Sequence, residues 1–236
     1  MVKPRRVVNL ILNYIVSLSA FLGVILSVVL HAEEGYSTWY SRLFYFTQQS
    51  NIWIGTTSLI YAILESKNIL NGTDILPEWL KVLKLIFTTC ITITCFIFCA
   101  CLAPFADFDV WSFSSWLLHV ITPVLAVADY IFNRQQRVEK DWYILLALIP
   151  LTFYFVFSSV LQLANVDFGM GDTHPYPFLD LDADVPFFGF KNDGLLLIGM
   201  GFWIIFILMF TIGLTALYYS IQYRKDKTKK FKKKSE

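Results

Sequence analysis

The chain is short of charge. Only 16% of its 236 residues are Asp, Glu, Lys or Arg, whereas 56% are hydrophobic and 17% aromatic; a soluble domain of this size carries roughly 25% charge. A soluble globular fold is excluded. Cysteine is also scarce, and all four thiols, Cys90, Cys95, Cys99 and Cys101, fall in one apolar run. They lack the spread of a disulfide framework and act there as small packing groups. Cys95 and Cys99 stand at i, i+4, but no third ligand lies near them, so no metal is expected. The net charge of +1 gives no reason to expect nucleic acid as a partner.

Long apolar runs take the place of these features. They fall at about 7 to 30, 43 to 64, 81 to 103, 112 to 132, 142 to 164 and 194 to 221, each near the ~20 residues needed to cross a bilayer. The expected fold is all-α, a multi-pass integral membrane protein of six transmembrane helices occupying 1–223, followed by a basic tail, 224–236. No room remains for a large appended domain. The first run is longer than the roughly 7 to 15 residues of a signal-peptide core and no small-x-small site follows it, so it reads as a retained helix.

Basic residues sort by loop. Three stand before the first run, Lys67, Lys81 and Lys84 lie in the 65–84 connection, Arg134, Arg137 and Lys140 in the 133–141 connection, and eight in the tail. The alternate loops hold only Arg42 and Lys191 beside ten acids. Both termini are therefore expected in the cytoplasm. The tail would rest against anionic inner-leaflet lipids at about 1 kcal/mol per charge near the surface. Lys233 and Lys234 also occupy the positions of a dilysine retrieval signal, which matters only in a eukaryote. The membrane expected is the plasma membrane in a bacterium or the endoplasmic reticulum in a eukaryote.

The longest connection, 165–193, lies outside and carries His174-Pro175-Tyr176-Pro177-Phe178-Leu179-Asp180. Its alternating aspartates do not make an EF-hand, because counting from Asp180 places Val185 and Lys191 where Gly and Glu are needed. A lid over the bundle, with His174, Tyr176 and Asp180 in it, suits a loop this long. No inverted repeat is found: Phe44-Tyr45-Phe46-Thr47 and Phe153-Tyr154-Phe155-Val156 are too short an echo.

Polar residues at membrane depth mark the faces that converge. On span 2, Thr47, Asn51 and Ser58 fall within about 40° of one another, with Gln48 and Ser50 on the flanks. Ser112, Ser115, His119 and Thr122 make a second stripe on span 4, and Ser158, Gln162 and Asn165 a third on span 5. His119 lies ~10 Å below the outer end of its span, Thr47 within a turn of that level, and Gln162 in the same half. Asn9, Asn13 and Asp129 lie toward the cytoplasm. Most such side chains simply join helices, at about 0.6 kcal/mol each, but His119 is the only histidine within a span and titrates near neutrality. A threonine alcohol attacks only if a base takes its proton, which makes Thr47 and His119 the natural pair. Backbone N–H groups inside an intact helix are already bonded, so an oxyanion here needs side-chain donors or a local helix break; Asn51 and Gln48 are the candidate donors, with Ser50, Ser115, Ser158 and Gln162 around the substrate.

At these residues the chain resembles a group of six-span microbial membrane proteins. The resemblance is carried by Phe46-Thr47-Gln48-Gln49-Ser50-Asn51, by His119 with Pro123, and by Pro175-Tyr176-Pro177-Phe178-Leu179-Asp180. That group is distantly similar to the androgen-induced protein and androgen-dependent TFPI-regulating protein family of animals, threonine hydrolases of fatty-acid esters of hydroxy fatty acids. What the resemblance implies is an intramembrane lipid-ester hydrolase with Thr47 as nucleophile, His119 as base, a lipid or acyl-ester substrate, and no cofactor. Two other readings stand beside it: a protein that binds or transports a lipid or small solute without breaking it, and a structural protein whose polar groups only hold helices together.

Overall fold

Six long helices carry the chain in the computed structural model, which describes residues 4–30, 40–73, 75–106, 110–132, 137–169, 171–181 and 198–234, without the side chains of Arg5, Leu30, Phe105, Ile198, Gly199 and 224–234. They are α1 (Pro4–Leu30), α2 (Phe46–Leu70), α3 (Glu78–Leu102), α4 (Phe113–Phe132), α5 (Asp141–Leu163) and α6 (Ile198–Lys234). Strand pairing among the described residues is limited to one isolated bridge, Gly169 with Asp172. The fold is all-α. Five helices are long and apolar enough to cross a membrane, and α2 is long enough but too polar to qualify. The expected runs match these helices to within a few residues, except that α2 continues past Glu65 and α6 continues as helix through the basic tail. Of the loop 165–193, residues 170 and 182–193 lie outside the described residues, and with them Asp182 and Asp184.

Three prolines explain where the helices leave α geometry. Pro104 follows a π-helical end of α3, Ile97–Leu102; Pro123 follows a π-helical turn in α4, Leu117–Ile121; and Pro150 follows a 3-10 start to α5, Asp141–Ala147. A proline offers no N–H to the carbonyl four residues back, so the turn before it is free to widen or tighten. The π-turns of α3 and α4 carry Phe98 and His119.

Helices α1 to α4 pack on one another, and α5 and α6 close over α3. Outward rows remain apolar: Ile149, Phe153, Val156, Val160 and Leu163 are exposed along α5, and Ile11, Leu18, Leu22, Ile25 and Val29 along α1. Such stripes are unfavourable in water and suited to lipid tails. Polar groups turn inward instead, and α2, which buries more polar side chains than any other described helix, lies against α1, α3 and the π-turn of α4.

One cluster ties four helices. Lys84 of α3 is fully buried, and its ammonium donates to Asn13 Oδ1 of α1 at 2.7 Å and to Ser58 Oγ of α2 at 2.7 Å while pairing with Asp129 Oδ2 of α4 at 2.9 Å. Asn13 closes the ring, its amide donating to Asp129 Oδ1 at 2.8 Å. The Tyr61 ring stands 5.8 Å from the ammonium. Lys84 is therefore not a cytoplasmic loop charge, as its place at the edge of an apolar run had suggested. It lies inside α3 and supplies the counter-charge that Asp129 requires at membrane depth. Removing one member of a buried pair typically costs about 3–5 kcal/mol, whereas replacing both by apolar residues of similar volume is often neutral. Asp129→Ala should accordingly lose that much stability in detergent unfolding, and Lys84→Met with Asp129→Leu should recover most of it.

Candidate active site

The beginning of α2 sets the site. A 3-10 turn, Ser41–Phe44, brings the chain to Tyr45, whose extended backbone (ψ 141°) precedes the first helical residue, Phe46. Thr47 thus stands in the first turn, where N–H groups have no carbonyl a turn earlier to bond. Its N–H donates instead to the Tyr176 hydroxyl at 3.3 Å, and the same hydroxyl lies 3.4 Å from Thr47 Oγ1. With the span starting at residue 43, backbone donors were expected to be occupied here unless the helix broke. The helix begins three residues later and leaves the Thr47 N–H available.

Beside Thr47 is a small, partly open cavity of about 40 Å³, and its lining is almost wholly apolar. Ile93, Ile97 and Phe98 of α3 and Leu151 and Phe155 of α5 form its walls, with Phe178 and Leu179 of the loop after α5 closing it; Thr47, Thr94, Tyr154 and Tyr176 bring the hydroxyl groups. The described part of the loop is built to hold this cover. Phe168 is buried and packs edge-on against Phe44 and Tyr45, and the Tyr45 hydroxyl donates to the Phe168 carbonyl at 3.2 Å. The turn at Gly169–Asp172 needs positive φ at Gly169 (134°) and Gly171 (86°), which glycine adopts at least cost. Tyr176 then stacks flat on Phe178, and burial pushes its phenol above its ordinary pKa, so it stays protonated at neutral pH and can donate.

His119 occupies the π-turn of α4. In that turn the Thr122 N–H bonds the Leu117 carbonyl, and the donor due to the Leu118 carbonyl would be residue 123, a proline. The Asn51 amide fills the place, donating to Leu118 O at 3.2 Å and to Thr47 O at 2.8 Å. The imidazole is buried and stacks on Phe98 with ring centroids 3.5 Å apart and planes 9° from parallel. Its Nδ1 has no hydrogen-bond partner. No hydrogen bond joins it to Thr47, and Phe98, which lines the cavity, covers one face of the ring.

The remaining candidates divide. Asn51 has both amide hydrogens engaged and acts as a tie between α2 and α4, not as a free oxyanion donor. Gln48 donates to Ser27 Oγ at 3.0 Å, away from Thr47, and its carbonyl oxygen is unpaired. Ser50 meets Thr94 Oγ1 at 2.8 Å. Ser158 bonds only the Phe155 carbonyl of its own helix, and Ser115 gives its N–H to the Ser112 cap. Gln162 donates to Asp180 Oδ1 at 2.9 Å, with His174 Nδ1 3.8 Å from the other carboxylate oxygen, so these three pin the loop to the end of α5. Tyr176 was expected as a lid residue but not as a partner of Thr47, and Phe98 was not singled out at all. The Tyr176 hydroxyl on the Thr47 N–H had no local signal. Phe98 could have been suspected only from Pro104, which marks the widened turn that presents it.

No protein-family model, curated protein or solved structure matches the chain.

Tyr176→Phe leaves the Thr47 N–H without its acceptor, a loss of roughly 1 kcal/mol or somewhat more. Amide exchange read by mass spectrometry should quicken about fivefold over 46–49 and remain unchanged in the middle of α1.

Proposed function

We propose that this protein is a six-span membrane hydrolase of lipid esters, both termini cytoplasmic, that takes an acyl chain into the cavity beneath Tyr176 and presents its ester to Thr47. In this reading α2 crosses as the polar centre of the bundle, shielded from lipid by its neighbours, and substrate enters from the outer leaflet. The observation that carries the proposal is the apolar cavity ending at a threonine whose hydroxyl and backbone N–H are both directed to one oxygen atom, that of Tyr176.

The Tyr176 oxygen marks where a substrate carbonyl oxygen would sit. Once an ester displaces it, Thr47 Oγ1 attacks the carbonyl carbon, and the developing oxyanion takes the Thr47 N–H, aided by the positive end of α2, with the Tyr176 O–H as a second donor. The proton leaving Thr47 passes to His119 and then to the departing alkoxide; water, activated by the same imidazole, frees the acyl group. For His119 to act, and for the cavity of about 40 Å³ to widen enough to take an acyl chain, the Phe98 ring must turn out of its stack, so the ligand-free form is a closed one. The basic end of α6 holds the cytoplasmic side against anionic lipid.

A second reading, a protein that binds the acyl lipid without cleaving it, is favoured by one observation, the missing hydrogen bond between Thr47 and His119. Labelling with a long-chain fluorophosphonate separates the two. The hydrolase requires a covalent adduct on Thr47 and ester turnover reduced at least about a hundredfold in both Thr47→Ala and His119→Ala. Folded protein that binds the probe and is never labelled would support the binding protein. Leu151→Trp, which fills the cavity, should abolish acyl binding under either reading.

A further inference from the structure

A second phenol stands at the start of α2 beside the one that receives the Thr47 N–H. Tyr154 of α5 is 1% exposed, and its hydroxyl lies next to that of Tyr176 without a hydrogen-bond partner. The Phe46 N–H, first in the helix and with no carbonyl a turn earlier, faces both phenol oxygens. Two backbone N–H groups and the hydroxyls of Thr47, Tyr154 and Tyr176 therefore meet at one end of the cavity.

All five groups can donate, and the Tyr154 hydrogen has no acceptor. A buried hydroxyl left unmet is costly, and phenylalanine at 154 would avoid that cost. The positive end of α2 adds to the donors, while none of the lining residues is Lys, Arg, His, Asp or Glu. Neutral donors at a helix start suit an anion of single charge. Two acceptor oxygens are called for, one between the Thr47 N–H and the Tyr176 hydroxyl and one between the Phe46 N–H and the Tyr154 hydroxyl. A carboxylate supplies both, whereas an ester has only one oxygen of comparable acceptor strength.

Behind the donors the lining is apolar, with Ile93, Ile97 and Leu151 in line for an alkyl chain. The space already present, about 40 Å³, is room for about three water-sized groups, the size of a carboxylate head. The chain takes the room that opens when Phe98 turns.

We propose that this end of the cavity binds the carboxylate of a single-chain fatty acid, held between Tyr154 and Tyr176 on the Phe46 and Thr47 N–H groups. The proposal rests on the reading that the cavity takes an acyl chain, and it adds the head group that the site prefers. In the hydrolase, the acid released from Thr47 is retained where it forms, so free fatty acid inhibits turnover.

The test is isothermal titration of the full chain in detergent, at mildly alkaline pH, with palmitate and with 1-hexadecanol, which has the same chain and no carboxylate. Wild-type protein should bind palmitate at least about tenfold more tightly than the alcohol, and Tyr154→Phe, checked for a cooperative melt, should weaken palmitate about tenfold while moving the alcohol less than about twofold. Equal binding of the two lipids by wild-type protein would overturn the carboxylate site, as would unchanged palmitate affinity in folded Tyr154→Phe; should that variant not fold, the wild-type preference decides. In both of these outcomes the acyl cavity itself survives. Binding of neither lipid above the level of Leu151→Trp would overturn the cavity reading and the carboxylate site together.

Discussion

In hydrocarbon every polar group must find its partner inside the protein, and that constraint organises this chain. Its strongest expression is Lys84, which places a full positive charge at the meeting of α1, α2, α3 and α4 and has an acceptor for each of its three ammonium hydrogens. Once Asp129, Asn13 and Ser58 are committed to that charge, the rotation of each helix is fixed. The inward faces of α2 and α4 follow, and with them the depth and direction of Thr47, Asn51 and His119.

The site at the Thr47 end of the bundle is built from departures from regular helix. Thr47 has a usable N–H because α2 starts just before it, and His119 projects from a turn widened ahead of Pro123. Asn51 joins the two by bonding Thr47 O and the Leu118 carbonyl, which the proline leaves without its donor. The cover is a loop whose shape depends on two glycines and on Phe168 wedged against Phe44 and Tyr45. Each of these features is local, so a small sequence change at Pro123 or Gly169 would disturb the site without unfolding the bundle.

Much of this was legible beforehand. The apolar runs mark the long helices because crossing length and hydropathy leave few alternatives, and the 3.6-residue period places Thr47, Asn51 and Ser58 on the inward face of α2. Lys84 was misread because a lysine near the edge of an apolar run looks like a loop charge, and only its three-dimensional partner, Asp129, some 45 residues away, reveals it as interior. The Phe98–His119 stack and the Tyr176–Thr47 contact were invisible for a related reason. They join distant segments through single side chains and leave no periodicity to read.

The central claim is that the space below Tyr176 receives an acyl chain. A fatty-acyl ester with a terminal diazirine, photolysed in the reconstituted protein and mapped by mass spectrometry, tests it on a single helix, because α5 turns Leu151 and Phe155 to the cavity and Phe153, Val156 and Val160 outward. Adducts at Leu151, Phe155 and, across the cavity, Ile93 or Ile97, competed away by excess unlabelled ester, are the expected result. Adducts confined to Phe153, Val156 and Val160 and insensitive to competitor would contradict it.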